Sequence, residues 1–239
     1  MTKSINMFVF MIRQITKEAM MVLLLIAPFL AGAMFKYVIP MVEKYICDYF
    51  SLESCISPYY DVFDWLLAML IGMLFAFVGG LVCLGEIDDR IVMYYSVTPG
   101  GKKGYILSRI IYPAILSGIM AVILVPLFSI GSPDIVNYGV MIISTVLSGI
   151  VTALLVISIS SNKVEGMAVG KLAGGFGAVV FIPLLVKGNI AYVFSPFPMF
   201  WVGKFAFEFQ NGWYILAALL LYAIWIGGLY RLFARRINI

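Results

Sequence analysis

Twelve carboxylates, sixteen Lys and Arg side chains and no histidine are what this sequence offers for acid–base chemistry. Without histidine, Ser-His-Asp and Cys-His catalysis are closed, and so are histidine-ligated metal sites. A paired-carboxylate mechanism needs two acids facing each other in a pocket, but these acids lie in loops or where apolar runs end. The run Gly174-Gly175-Phe176-Gly177 lacks the GKS/T ending of a phosphate loop. In an apolar helix such small residues serve close packing. Cys47 and Cys55 lie eight apart in a polar stretch and can form a disulfide if that stretch faces an oxidising compartment. Two thiols alone leave a zinc shell half empty, so no metal site is expected. Cys83 sits in an apolar run, as a small packing residue. The densest group of charges is in residues 84–110, LGEIDDRIVMYYSVTPGGKKGYILSRI. A plain connector needs about four to six residues. This one is longer and patterned, as a surface for a partner would be.

The elements that position these charges are membrane spans. The sequence is 63% hydrophobic and 12% charged, whereas a soluble domain has roughly 45–50% apolar and about 25% charged residues. Lipid is therefore the solvent for most of the chain, and no stretch has the composition of a soluble catalytic domain. The net charge of +4 is spread along the sequence, unlike the clustered basic face of a nucleic-acid binder. Charges bracket six apolar runs, predicting an all-α membrane protein with spans at about 19–39, 65–85, 107–130, 137–160, 168–187 and 212–231. The whole chain, 1–239, reads as one transmembrane domain. The fifth span is short, with Lys171 inside the reach it needs.

Lys3, Arg13, Lys17, Arg90, Lys102, Lys103, Arg109, Lys163, Lys171, Arg231, Arg235 and Arg236 fall on one side of this topology. Only Lys36, Lys44, Lys187 and Lys204 fall on the other. The positive-inside rule then places both termini and the loop 86–104 in the cytoplasm, and the loop 41–63 outside. Residues 3–18 read as an interfacial helix rather than a cleavable signal: Ile5, Phe8, Val9, Ile12 and Ile15 share one face. Residues 190–207 open with IAYVFSPFPMFW, apolar and aromatic but broken by Pro196 and Pro198. Such a segment reads as re-entrant or interfacial.

Ion-coupled carriers keep ionisable groups in mid-span. These spans have none there, so the energy for any transport is expected to arrive through a cytoplasmic surface. Ile87, Ile91, Tyr94 and Tyr95 recur at helical spacing, which predicts a short amphipathic helix over Gly85–Val97 with Glu86, Asp89 and Arg90 on its other faces. Thr98-Pro99 signals a new helix start. Because surface charges rarely matter to folding, Glu86→Ala and Asp89→Ala are expected to insert normally.

The E-x-D-D-R pattern followed by V-T-P, the SNKVEGMAVGK loop, the N-terminal interfacial helix and the proline-broken aromatic residues resemble the permease subunit of the type-2 ABC transporter family over essentially the whole chain. The resemblance implies a multi-pass subunit of the cell (cytoplasmic) membrane, of bacterial type, that is not itself an enzyme and binds no cofactor. ATP and Mg would be held by a separate cytoplasmic ABC ATPase subunit, and a second permease subunit, identical or not, would complete the pore. It further implies that the second-to-third loop is the coupling helix, with Glu86, Asp88, Asp89, Arg90 and Pro99 as ATPase-coupling residues. Lys163 and Glu165 would give a second cytoplasmic contact, and two short re-entrant helices would precede the last span. The expected activity is export of an amphipathic compound, peptide or lipid-like molecule. A membrane immunity or sequestration protein and the membrane subunit of an importer are the alternatives.

Overall fold

A computed structural model describes residues 2–89, 91, 101–208 and 210–236, with the side chains of 2–4, 102 and 103 left aside. Six of its helices are long and apolar enough to cross a membrane. In chain order they follow an N-terminal helix α1 (Thr2–Ile15) and comprise α2 (Ala19–Phe50), α3 (Ser57–Asp88), α4 (Gly104–Phe128), α5 (Ile135–Ile159) and α6 (Lys163–Leu185). A 3-10 turn (Asn189–Phe194), a short helix α7 (Pro198–Phe207) and the sixth long helix, α8 (Gly212–Arg236), complete the described chain.

The long helix α3 is the axis of the bundle. Its most apolar stretch is 72% buried, against 17% for α2 and for α8, which lie at the outside of the bundle. Glycine lets the neighbours approach α3. A Cβ built on Gly72 would lie 2.6 Å from the Thr145 carbonyl oxygen of α5, and Gly149 returns the contact at 3.0 Å from the Gly72 oxygen. In α6, Gly174 and Gly177 face Met73 and Met69 of α3, while Gly175 faces open space. Two of the three glycines in that run thus serve packing.

Proline shapes α2 and α4. A proline inside a helix clashes with the carbonyl four residues earlier. Pro40 does this to Lys36 and Pro113 to Arg109, and in both places the helix widens to a π turn, Met34–Val38 and Leu107–Ile111. The Arg109 carbonyl displaced by Pro113 lies 2.7 Å from where a Gly79 Cβ would be, so Gly79 provides the space.

The chain ends of the spans alternate between two ends of the bundle. One, here termed the basic end, carries α1, Lys163, Arg235 and Arg236. At the far end, α2 continues as helix to Phe50, where an outer loop from 41 was expected. Glu43 makes this possible. Its carboxylate accepts from the backbone N–H groups of Cys55, Ile56 and Ser57 and from the Tyr60 hydroxyl, tying the turn back onto the helix. Asp64 does the same for the turn between α4 and α5, accepting from Ser129 Oγ at 2.6 Å and from the N–H groups of Ile130 and Gly131 at 3.0 Å. Both acids are buried. Their hydrogen bonds close turns, so neither is a free outer charge.

Cys47 and Cys55 stand on either side of the Glu43 turn as free thiols. The short connection between them makes the bridge testable. Mild oxidation of the intact protein is expected to yield a linked peptide pair two hydrogens lighter than the free thiols in non-reducing mass spectrometry. Recovery of both as free thiols would rule the bridge out.

In α1, Met11 and Ile15 are buried against the bundle and Phe8 is half-buried, whereas Ile5, Val9 and Ile12 stay exposed. The apolar face expected from spacing is therefore split. One part packs on protein, and the other is free to meet lipid.

Candidate functional site

The charges singled out in residues 84–110 divide into three groups in the structure. Arg90 and Pro99, together with the greater part of the helix expected over Gly85–Val97, lie outside the described residues. Asp88 and Asp89 are exposed at the end of α3. Glu86 is the correction. It is not a surface charge of a loop helix but part of the last turn of the second span, and it is 2% exposed.

Its partner is Arg109, 0% exposed in the first turns of α4. The guanidinium straddles the carboxylate, with Nη2 donating to Oε1 at 2.5 Å and Nε to Oε2 at 2.8 Å. This two-pronged geometry is the strong form of an ion pair. Nη1 donates in addition to the Met7 carbonyl of α1 at 2.8 Å and approaches Ser108 Oγ at 3.4 Å. Beneath it, the Tyr105 hydroxyl and Cys83 thiol make a 3.1 Å contact, again between α4 and α3. Three elements that border the expected coupling loop are thus locked by one buried cluster.

A second junction joins the loop between α5 and α6. Asn162 caps α6 by accepting from the Glu165 N–H at 2.9 Å, and Glu165 accepts in return from the Ser161 N–H at 2.6 Å. This reciprocal arrangement satisfies N–H groups that a helix start leaves unpaired. Lys163 donates from its backbone to Asp88 at 3.3 Å and from its ammonium to Glu18 at 2.7 Å. Its stem lies over Gly85, where a Cβ would come within 2.8 Å of Lys163 Cε. Arg236 closes the ring: its guanidinium donates to the carbonyls of Ile157, Ser160 and Ser161 at the end of α5. The Ile157 carbonyl is one that a helix end leaves without an intrahelical partner.

The structure therefore brings Glu86, Asp88, Lys163 and Glu165 to one end and gives each a partner. Sequence reasoning missed Arg109 and Glu18 as partners of Glu86 and Lys163, and Arg236 as the cation that binds the end of α5. Arg109 was legible only as a span boundary. A base in an apolar run just past an acid-bearing loop is the signal that could have raised it. Among the described residues, no group of three or more Cys, Asp or Glu side chains is arranged to hold a metal ion.

The far end carries the two short helical segments expected before the last span. Pro198 stands in the first turn of α7, where its missing N–H costs nothing. Lys204 is buried there, donating to Glu208 at 2.8 Å and to the Tyr192 hydroxyl at 3.1 Å. Burial works against its charge, but these two hydrogen bonds outweigh it and hold its pKa above the ordinary lysine value. Trp201 and Trp225 pin the proline turn by donating to the carbonyls of Ser195 and Pro196.

An all-helical bundle whose six long helices carry a charged cluster at one end fits a transport subunit, and comparison with known families decides which kind. Residues 11–231 match the family described as "Fluoroquinolones export permease protein Rv2686c-like". The chain belongs to that family. This agrees with the resemblance to type-2 ABC permease subunits, and a permease of this family is a multi-pass membrane protein. No curated protein and no solved structure matches the chain. The family match begins inside α1 and ends in the last turns of α8, so it includes Glu86, Arg109 and Lys163.

Proposed function

We propose that this chain is the membrane subunit of an ATP-driven exporter in the cytoplasmic membrane of a bacterium. It moves amphipathic compounds of the kind named for its family outward, and a separate cytoplasmic ATPase supplies the energy. The family match over residues 11–231 carries this reading. An export family favours it over the importer and immunity alternatives. The split of twelve basic residues against four supports placing the basic end and both termini in the cytoplasm, with Asn189–Phe194 and α7 as the re-entrant pair on the outer side. A second permease subunit would cover the lipid-facing surface of one protomer.

Coupling then has a physical route. An ATPase pressing on the loop 86–104 pushes two spans at once, because Glu86 and Arg109 join α3 to α4 and Arg109 holds α1 as well. Asp88 and Lys163 carry the same push into α6. The pair is a bracket rather than a contact surface, which leaves exposed Asp89, and with it Arg90 and Pro99, as the docking residues.

Asp89→Lys tests this. The residue is exposed, so the substitution is expected to change stability by no more than about 0.5 kcal/mol and leave membrane levels normal. A desolvated charge at a protein interface is worth about 2–5 kcal/mol. Co-purification of the ATPase and drug export are therefore both expected to fall at least tenfold. Full association and full export by Asp89→Lys would remove the acidic loop as the docking contact.

A further inference from the structure

Midway along the bundle, a recess opens between α3, α5, α6 and α8, lined by Met69 and Met73, Thr152, Phe176, Tyr222 and Trp225 among others. Tyr222 is 3% exposed, and its hydroxyl has no hydrogen-bond partner among the described residues. A buried hydroxyl left so costs about 1–3 kcal/mol, and hydrocarbon offers no water to relieve it. The neighbouring Ser148 hydroxyl cannot serve as its donor, because it already donates to the Thr145 carbonyl at 3.2 Å.

One turn along α8, Trp225 belongs to a triangle of rings drawn from three elements. Phe197 stacks on Trp225 at 5.8 Å and 27°, and Phe176 meets both edge-on, at 5.0 Å and 5.6 Å. All three rings are half-buried and line one side of the recess, between α6 and α8. The recess holds about 470 Å³ of open space. The recess is therefore within the roughly 300–1,000 Å³ range of a site for a drug-sized ligand. Its floor is adaptable: Met69, Met73 and Met199 are unbranched, and two of them face the glycines Gly177 and Gly174.

We infer that this recess is a binding site within a single protomer for a planar aromatic compound bearing a carbonyl or carboxylate oxygen. The compound enters sideways from the membrane, parts Phe197 from Trp225, takes the place of one ring in the stack, and accepts a hydrogen bond from the Tyr222 hydroxyl. The inference rests on the export reading above and gives it a substrate contact.

The test is binding of norfloxacin, a fluorescent fluoroquinolone, to the full chain in lipid nanodiscs by fluorescence polarisation, alongside export in cells. Tyr222→Phe removes only the hydroxyl. It is expected to weaken binding about tenfold with a thermal midpoint equal to or above wild type, since an unpartnered polar group has gone. Trp225→Ala is expected to weaken binding by a similar factor through the lost stack. If both variants bind and export norfloxacin as wild type does, the recess is not the site, while the export reading stands. If wild type neither binds nor exports the compound, the substrate class fails and this site with it.

Discussion

Glu86→Ala is expected to cost the protein much of its stability, the reverse of the normal insertion expected for a surface charge. Removing the carboxylate takes away both Glu86 oxygens from the Arg109 guanidinium, which stays at 0% exposure and keeps its bond to the Met7 carbonyl. Breaking one partner of a buried ion pair costs about 3–5 kcal/mol, a large part of the roughly 5–15 kcal/mol that holds a typical domain folded. The thermal midpoint in nanodiscs, and the folded fraction in the membrane, should both drop. Glu86→Gln keeps an acceptor and should fall between wild type and Glu86→Ala. Arg109→Ala should resemble Glu86→Ala and additionally free α1, read as faster proteolysis at residues 1–18. Replacing both members by Met should recover part of the loss, but not all, because the bond from the guanidinium to the Met7 carbonyl that holds α1 is lost as well. A wild-type midpoint for Glu86→Ala would show that the pair is not the bracket joining α3 to α4.

Gly72→Leu is expected to be strongly damaging although it lies outside that cluster. α3 and α5 cross backbone to backbone here, and any Cβ on Gly72 meets the Thr145 carbonyl at 2.6 Å, which no side-chain rotation relieves. The same crossing carries the hydrogen bond from Thr145 Oγ1 to the Ala68 carbonyl at 3.1 Å, so pushing the helices apart breaks polar and apolar contacts together. Overpacking typically costs about 1–3 kcal/mol, and a full leucine at a backbone contact belongs at or above the top of that range. Gly72→Ala should lose less. Gly139→Ala and Gly228→Ala, where the new Cβ meets nothing within 4 Å, should leave the yield of monodisperse protein unchanged. Equal yields for Gly72→Leu and Gly228→Ala would mean that the close crossing is not what holds α3 to α5.

Much of this architecture is written locally. The six spans follow from apolar length between charges, a property of each segment alone, and the cap at Asn162 and Glu165 follows from neighbouring residues. The packing role of Gly174 and Gly177 was legible too, because small residues in an apolar helix have few other uses. What escaped the sequence is whatever depends on how helices lie side by side. Glu86 and Arg109 are separated by the whole loop, and each reads as a boundary charge. Only the register of α3 against α4, set by Gly79 and by the π turn before Pro113, turns them into one buried pair. Glu43 reads as a loop acid until the turn at Cys55–Ser57 folds back over it and extends α2. The Tyr222 hydroxyl is ordinary in sequence, since whether it finds a partner depends on which groups the other helices bring within about 3 Å. Local composition therefore determined that the chain crosses the membrane and where. Tertiary packing decided which charges are buried locks and which remain exposed, because pairing is settled by distances between helices that no single segment encodes.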